Sequence, residues 1–317
     1  MNKKVFMMLL LLSIIILAAC TGGGSKKPSA AGFIGGKEGI VSKIGIESSS
    51  GSNTVLDSDL ETFKIDLTLE NKGEYTVKEG EALVTLDGIN YNAFQIANPT
   101  KANEVPLEKL RKEAEKLSTS TQTIVQFDAR YKPDEDADRT VDVAANVCYK
   151  YQTISRVKDM CLKNKVTGPA SPICKLEETK VSENSGSPLQ VTNFVQRPTG
   201  ENKVSVFIEA VNNGKGTLYS REFLSRGKCV EDDADKNKVH ARVELTEFSN
   251  SASIVKCSSL DNNEGELNVI QNKITLSCSI DTSGMQESAF ETPLRVILDY
   301  VYKDGVSTQL KIKNTVG

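Results

Sequence analysis

The chain has 317 residues, with 39 lysines and arginines against 42 aspartates and glutamates; its formal net charge of −3 becomes −5 once Lys3 and Lys4 leave with an export signal. A mildly acidic balance without a long basic run argues against a nucleic-acid partner and against electrostatic docking on anionic lipid. Tryptophan is absent and His240 is the sole histidine, so the commonest general base is present only once and sugar-gripping tryptophan platforms are missing.

Lys3 and Lys4, the apolar run from Val5 to Ala19 and the small residues before Cys20 form the three parts of a secretory signal. The run is shorter than the roughly 20 residues a spanning helix needs. Leu17-Ala18-Ala19-Cys20 resembles the lipobox of prokaryotic lipoproteins, which implies that residues 1–20 are a signal and that Cys20 is acylated to become the mature N-terminus. The expected location is therefore outside the cytoplasm, lipid-anchored to the outer face of the cytoplasmic membrane or to the cell surface. Residues 21–36, rich in Gly and Ser, read as a flexible tether, with the fold beginning at Lys37.

From Thr62 the chain alternates strictly, with Phe63, Ile65, Leu67 and Leu69 on one face, before Asn71-Lys72-Gly73 breaks the strand at a turn expected to need positive φ. Residues 104–118 predict an amphipathic helix, with Pro106 in its first turn and Leu107, Leu110, Ala114 and Leu117 as its apolar stripe. Two alternating runs follow, Val125-Phe127-Ala129-Tyr131 and Val143-Ala145-Val147-Tyr149-Tyr151. A segment rich in Pro, Gly, Ser and charge, residues 163–190, predicts a domain boundary near Ser171.

Beyond it the same devices recur. Val204, Val206, Ile208 and Ala210 alternate before Asn212-Asn213-Gly214; Ile274, Leu276, Cys278 and Ile280 precede Leu294, Val296, Leu298, Tyr300 and Tyr302. The two Tyr-x-Tyr pairs align, with Cys148 falling where Asp299 sits. A recurrence of this length fits domain duplication, and the reading is a mainly β chain of two tandem antiparallel Ig-like sandwiches, residues 37–171 and 172–317, with the one helix inserted in the first.

Of seven cysteines, Cys20 is assigned to lipid, leaving Cys148, Cys161, Cys174, Cys229, Cys257 and Cys278. An even number in an exported chain predicts three disulfides. Six cysteines allow 15 connectivities; Cys148–Cys161, Cys174–Cys229 and Cys257–Cys278 are the expected pairs.

His240 lies in an alternating strand on the face away from Val239, Ala241, Val243 and Leu245, and reads as a solvated residue. Asp233, Asp235, Asn237 and Glu244 occupy the first, third, fifth and twelfth places of a calcium-loop template, with Val239 able to offer a carbonyl; Lys238 stands where that template needs glycine. The expectation is no cofactor, with calcium at these residues as the one metal to test. Tyr149, Tyr151, Tyr300 and Tyr302 share an apolar face and read as core with hydroxyls reaching the rim.

The alternating strand ending in Asn-x-Gly, the Cys148-Tyr149-Lys150-Tyr151 element and the Ser185-Gly186-Ser187-Pro188-Leu189-Gln190 opening of the second half resemble archaeal surface lipoproteins with tandem Ig-like, cell-adhesion-related domains. The resemblance implies fold and location and supplies no catalytic residues. The functional expectation is a non-catalytic, envelope-structural or protein-binding lipoprotein whose partners are the membrane, through its anchor, and an envelope or surface protein. A ligand-capturing lipoprotein serving a transporter is the alternative, followed by a carboxylate-based extracellular hydrolase.

Overall fold

Period-two alternation becomes strand throughout. The computed structural model describes residues 32–315 apart from 114–115 and 228, so the signal, Cys20 and most of the tether lie outside the described residues. The first half forms β1 (Ile40–Ser48), β2 (Gly51–Ser52), β3 (Thr54–Leu56), β4 (Phe63–Asn71), β5 (Ala82–Asp87), β6 (Thr100–Ala102), β7 (Lys112–Glu113), β8 (Lys116–Leu117), β9 (Thr121–Ala129) and β10 (Arg139–Leu162). The second half forms β11 (Glu178–Thr179), β12 (Glu183–Asn184), β13 (Leu189–Pro198), β14 (Lys203–Asn212), β15 (Thr217–Tyr219), β16 (Lys238–Leu245), a single-turn helix α1 (Ser251–Ile254), β17 (Val255–Cys257), β18 (Glu264–Asn268), β19 (Lys273–Asp281) and β20 (Phe290–Lys313). Among the described residues no helix is long and apolar enough to cross a membrane.

The central sheet runs β18-β16-β20-β10-β5-β6, with β3, β12 and β15 joining at its margins. Its axis is the antiparallel pair β10–β20, 24 residues each, in register from Arg139↔Ile312 to Leu162↔Phe290 with one bulge between Val157 and Met160. At about 3.3 Å per residue each strand is roughly 80 Å long. A four-stranded sheet, β2-β1-β4-β9, and a five-stranded sheet, β11-β13-β14-β19-β17, complete the layers. Strand β1 lies against β20 and β10, while β13 lies against β10. The order is two-fold: β5 and β6 stand to β10 as β16 and β18 stand to β20, and β1-β4-β9 correspond to β13-β14-β19.

Six strands of each half thus recur in the same pairing order, and the boundary expected near Ser171 does not divide the fold, since Phe33–Gly317 forms one compact unit. The physical reason is strand sharing. The buried face of β10 runs without interruption from Val143 to Val157, and one core joins side chains of both halves. Separating the halves would unpair the whole β10–β20 ladder and expose that face. Nor is 163–190 a solvated linker: Lys163, Val166, Lys180, Ser185 and Ser187 are buried in it.

Two further expectations are corrected. The described residues of 104–118 form no helix. Leu107 is buried and exchanges backbone hydrogen bonds with Val77 at 3.1 and 2.8 Å, Leu110 donates to the Gly73 carbonyl at 2.8 Å, and a β7–β8 hairpin follows. A narrow stripe on a segment this short gives a marginal helix, and pairing with the 73–77 segment satisfies the backbone instead. The fold also begins before Lys37. The Glu74 carboxylate accepts from the amides of Ile34 and Gly35 at 3.0 and 2.9 Å, and the Arg156 guanidinium lies 5.4 Å from the centre of the Phe33 ring.

Candidate binding site on the outer face of the central sheet

Because side chains alternate across β10 and β20, the positions that miss the shared core project from the opposite face of the sheet. Register sets Cys148 against Lys303, Lys150 against Val301 and Gln152 against Asp299 on that face, while β16 sets His240 against the other side of Asp299. Above them passes a segment of the second half, residues 220–237, that has no counterpart of equal length between β4 and β5. It is fixed by the Cys148–Cys229 disulfide and by a small apolar cluster of Tyr219, Phe223, Leu224 and Val301, with Leu83 at its edge.

That pairing corrects part of the expected connectivity. Cys148 and Cys161 both lie on β10, and 13 residues of extended strand hold them roughly 40 Å apart, far beyond disulfide reach. Cys148 therefore takes Cys229, and Cys161 takes the nearby Cys174. Cys257–Cys278 forms as expected, its residues directly opposed in the β17–β19 ladder.

Where the segment meets the sheet, a polar depression is lined by Tyr75, Glu81, Lys150, Arg221, Glu222 and Asp299, together with Tyr151 and Tyr300. Lys150 pairs with Glu81 at 3.4 Å and Arg221 with Glu222 at 3.3 Å. Asp299 accepts from Gln152 Nε2 at 2.7 Å and, among the described residues, pairs with no cation. Burial raises the Tyr75 hydroxyl above its usual range, and the carboxylates of Glu81 and Asp299 add to the effect. Burial lowers the His240 imidazole, as does the charge of Arg221, against an opposing pull from Asp299. Its Nδ1 is enclosed without a hydrogen-bond partner among the described residues. His240 is thus half-buried beside a carboxylate instead of freely solvated.

None of the lining residues except Tyr151 and Tyr300 stands out in sequence. The one available signal is Asp299, a charge inside an otherwise apolar run at the place where the first half has its disulfide cysteine.

The acidic template residues do not come together. The Asp232 side chain accepts from the Ala234 amide at 2.9 Å, closing a turn on itself, and Asn237 leaves it with φ 57°. Strand β16 begins at once and carries Glu244 roughly 23 Å beyond Asn237. There Glu244 meets Arg295 at 3.2 Å and Arg242 at 3.7 Å. Val239 is taken up in the ladder opposite Leu267. Among the described residues no three His, Cys, Asp or Glu side chains converge as a metal would require.

The four tyrosines occupy the centre of the shared core, at the local two-fold, with Tyr149 opposite Tyr302 and Tyr151 opposite Tyr300. Ring centroids lie 5.6 Å apart for Tyr149–Tyr151 and 6.3 Å apart for Tyr300–Tyr302. The hydroxyls turn inward: Tyr151 donates to Asn71 Oδ1 and Tyr302 to Asn212 Oδ1, both at 3.3 Å. Burial raises all four hydroxyls, that of Tyr302 to about 12.

No protein-family model matches the chain, and no curated protein matches it. Among solved structures the chain is similar to the secreted serine protease VesC from Vibrio cholerae at 12% identity, with 79% of this chain aligned to 48% of that one and a TM-score of 0.19. The aligned part is about half of that protease's length, and a likeness this slight carries no argument about fold or activity.

Proposed function

We propose that this chain is a non-catalytic extracytoplasmic lipoprotein, held to the membrane through acylated Cys20, whose two Ig-like halves act as one rigid body that binds another component of the envelope or cell surface. The observation that carries the reading is the β10–β20 ladder, which runs through both halves with a single bulge. Capture of a ligand for a transporter usually works by closing two lobes about a hinge, and a pair of 24-residue strands crossing both halves offers no such hinge. A stiff body with loops at its ends and polar outer sheet faces suits surface recognition instead. The step from sandwich architecture to adhesion or envelope assembly is an analogy of fold. Three disulfides fit an oxidising compartment outside the cytoplasm.

The test is chemical crosslinking on intact cells followed by mass spectrometry. A recurrent protein partner attached to lysines of one face supports the reading. Absence of any partner, with those lysines demonstrably modified, overturns it. Anchoring is tested separately: the Cys20→Ser variant should leave the detergent-extracted membrane fraction, and its retention there would refute lipidation.

A further inference from the structure

The depression under the 220–237 segment arises where the two-fold is broken. At equivalent places of the duplicated strands stand Cys148, which holds the added segment, and Asp299, which the segment partly roofs. The strand order common to both halves accounts for the tyrosines, the turns and the core; it does not account for a charged group on β20, flanked by β10 and β16, on the outer face of the sheet.

The charges there do not cancel. Among the described residues Lys150 is used by Glu81 and Arg221 by Glu222, which leaves the Asp299 carboxylate without a cation there and the described lining one negative charge in excess. Gln152 fills one lone-pair direction of Asp299, so the carboxylate is oriented while its other oxygen has no partner among the described residues. Tyr75 supplies an aromatic ring in the same lining, steadied by a T-shaped contact with the Tyr151 ring at 5.5 Å. A carboxylate with an adjacent aromatic ring is the arrangement that attracts an alkylated nitrogen cation, through charge on one side and the ring quadrupole on the other. An anion would meet the excess negative charge, and a bare metal ion would find too few oxygens.

We propose that this depression binds a small organic ammonium ion, its positive nitrogen held between the Asp299 carboxylate and the ring of Tyr75. The site is independent of the anchoring and partner-binding reading. It needs no hinge, because the ligand sits on the paired strands and not between moving lobes.

His240, directly opposite Asp299 and the only histidine of the chain, makes the test specific. In the full chain labelled at histidine, NMR should show a saturable shift of the single imidazole signal on adding choline, and the His240 titration midpoint should fall further when the ligand's positive charge is bound. Neohexyl alcohol, the uncharged isostere with carbon in place of nitrogen, should leave the signal unmoved. Asp299→Asn retains an oxygen to accept from Gln152 and should weaken choline binding by about tenfold or more, as should Tyr75→Leu. Asp299→Asn should keep the wild-type thermal midpoint, since its side chain lies outside the shared core; Tyr75 packs against that core, so Tyr75→Leu should lower the midpoint and its choline affinity is measured well below its own transition. Equal response to choline and to the alcohol, an unchanged affinity in folded Asp299→Asn, or no saturable shift at tens of millimolar choline would each overturn the proposal.

Discussion

In both halves the glycine of an Asn-x-Gly turn lies under a tyrosine hydroxyl. Gly73 and Gly214 do not adopt left-handed torsions, contrary to the turn requirement expected from sequence; a Cβ at Gly73 would overlap the Tyr151 hydroxyl, and one at Gly214 that of Tyr302. The preceding asparagine completes the motif, its Oδ1 receiving both the glycine amide, at 3.1 Å in each half, and the tyrosine hydroxyl. Gly73→Ala should cost about 1–3 kcal/mol, measured as a lower denaturant midpoint at unchanged slope. Adding Tyr151→Phe should recover part of that loss, because it removes the overlapping oxygen. Buried tyrosines also predict an alkaline limit. Their hydroxyls titrate above the ordinary value of 10 when folded, so their contribution is fully present below that pH and is lost as the pH rises towards and through about 12 for Tyr302. Denaturant midpoints should therefore hold steady from neutral pH and fall once the pH passes 10, with tyrosinate absorbance from these rings rising together with unfolding.

Elements were legible to the extent that their side chains alternate. Phe63 to Leu69, Val204 to Ala210 and the two Tyr-x-Tyr strands all carry their apolar set on the buried face, because one wet and one dry side is a local property of a strand. The helix expected at residues 104–118 failed because its choice lay between local propensity and a backbone partner far away, and Val77 and Gly73 supply the partner. For the acidic turn and β16 the strand geometry gives a direct prediction. With Glu244 committed to Arg242 and Arg295 far along the strand, neither EDTA nor added calcium should change the melting temperature; a rise with calcium would show a site that these side chains assemble in solution. The segment 220–237 depends instead on its staple. Paired Cys148→Ser and Cys229→Ser should lower stability by about 2–4 kcal/mol and open the segment to limited proteolysis ahead of the rest of the chain.

At the scale of the molecule, the shared central sheet predicts cooperative behaviour. Calorimetry of residues beyond the tether should give one transition for both halves, whereas two resolved transitions would restore the independent domains expected from the boundary near Ser171. Sequence by itself determined the β class, the buried face of each long strand and the even cysteine number, since each follows from period, spacing or count along the chain. Only the tertiary structure decided which cysteines meet, that the two halves share β10 and β20, and that Asp299 stands beside His240, Gln152 and the roof of an added segment. Those facts depend on which distant strand each edge selects, and alternation specifies the face a strand buries without naming the neighbour it pairs with.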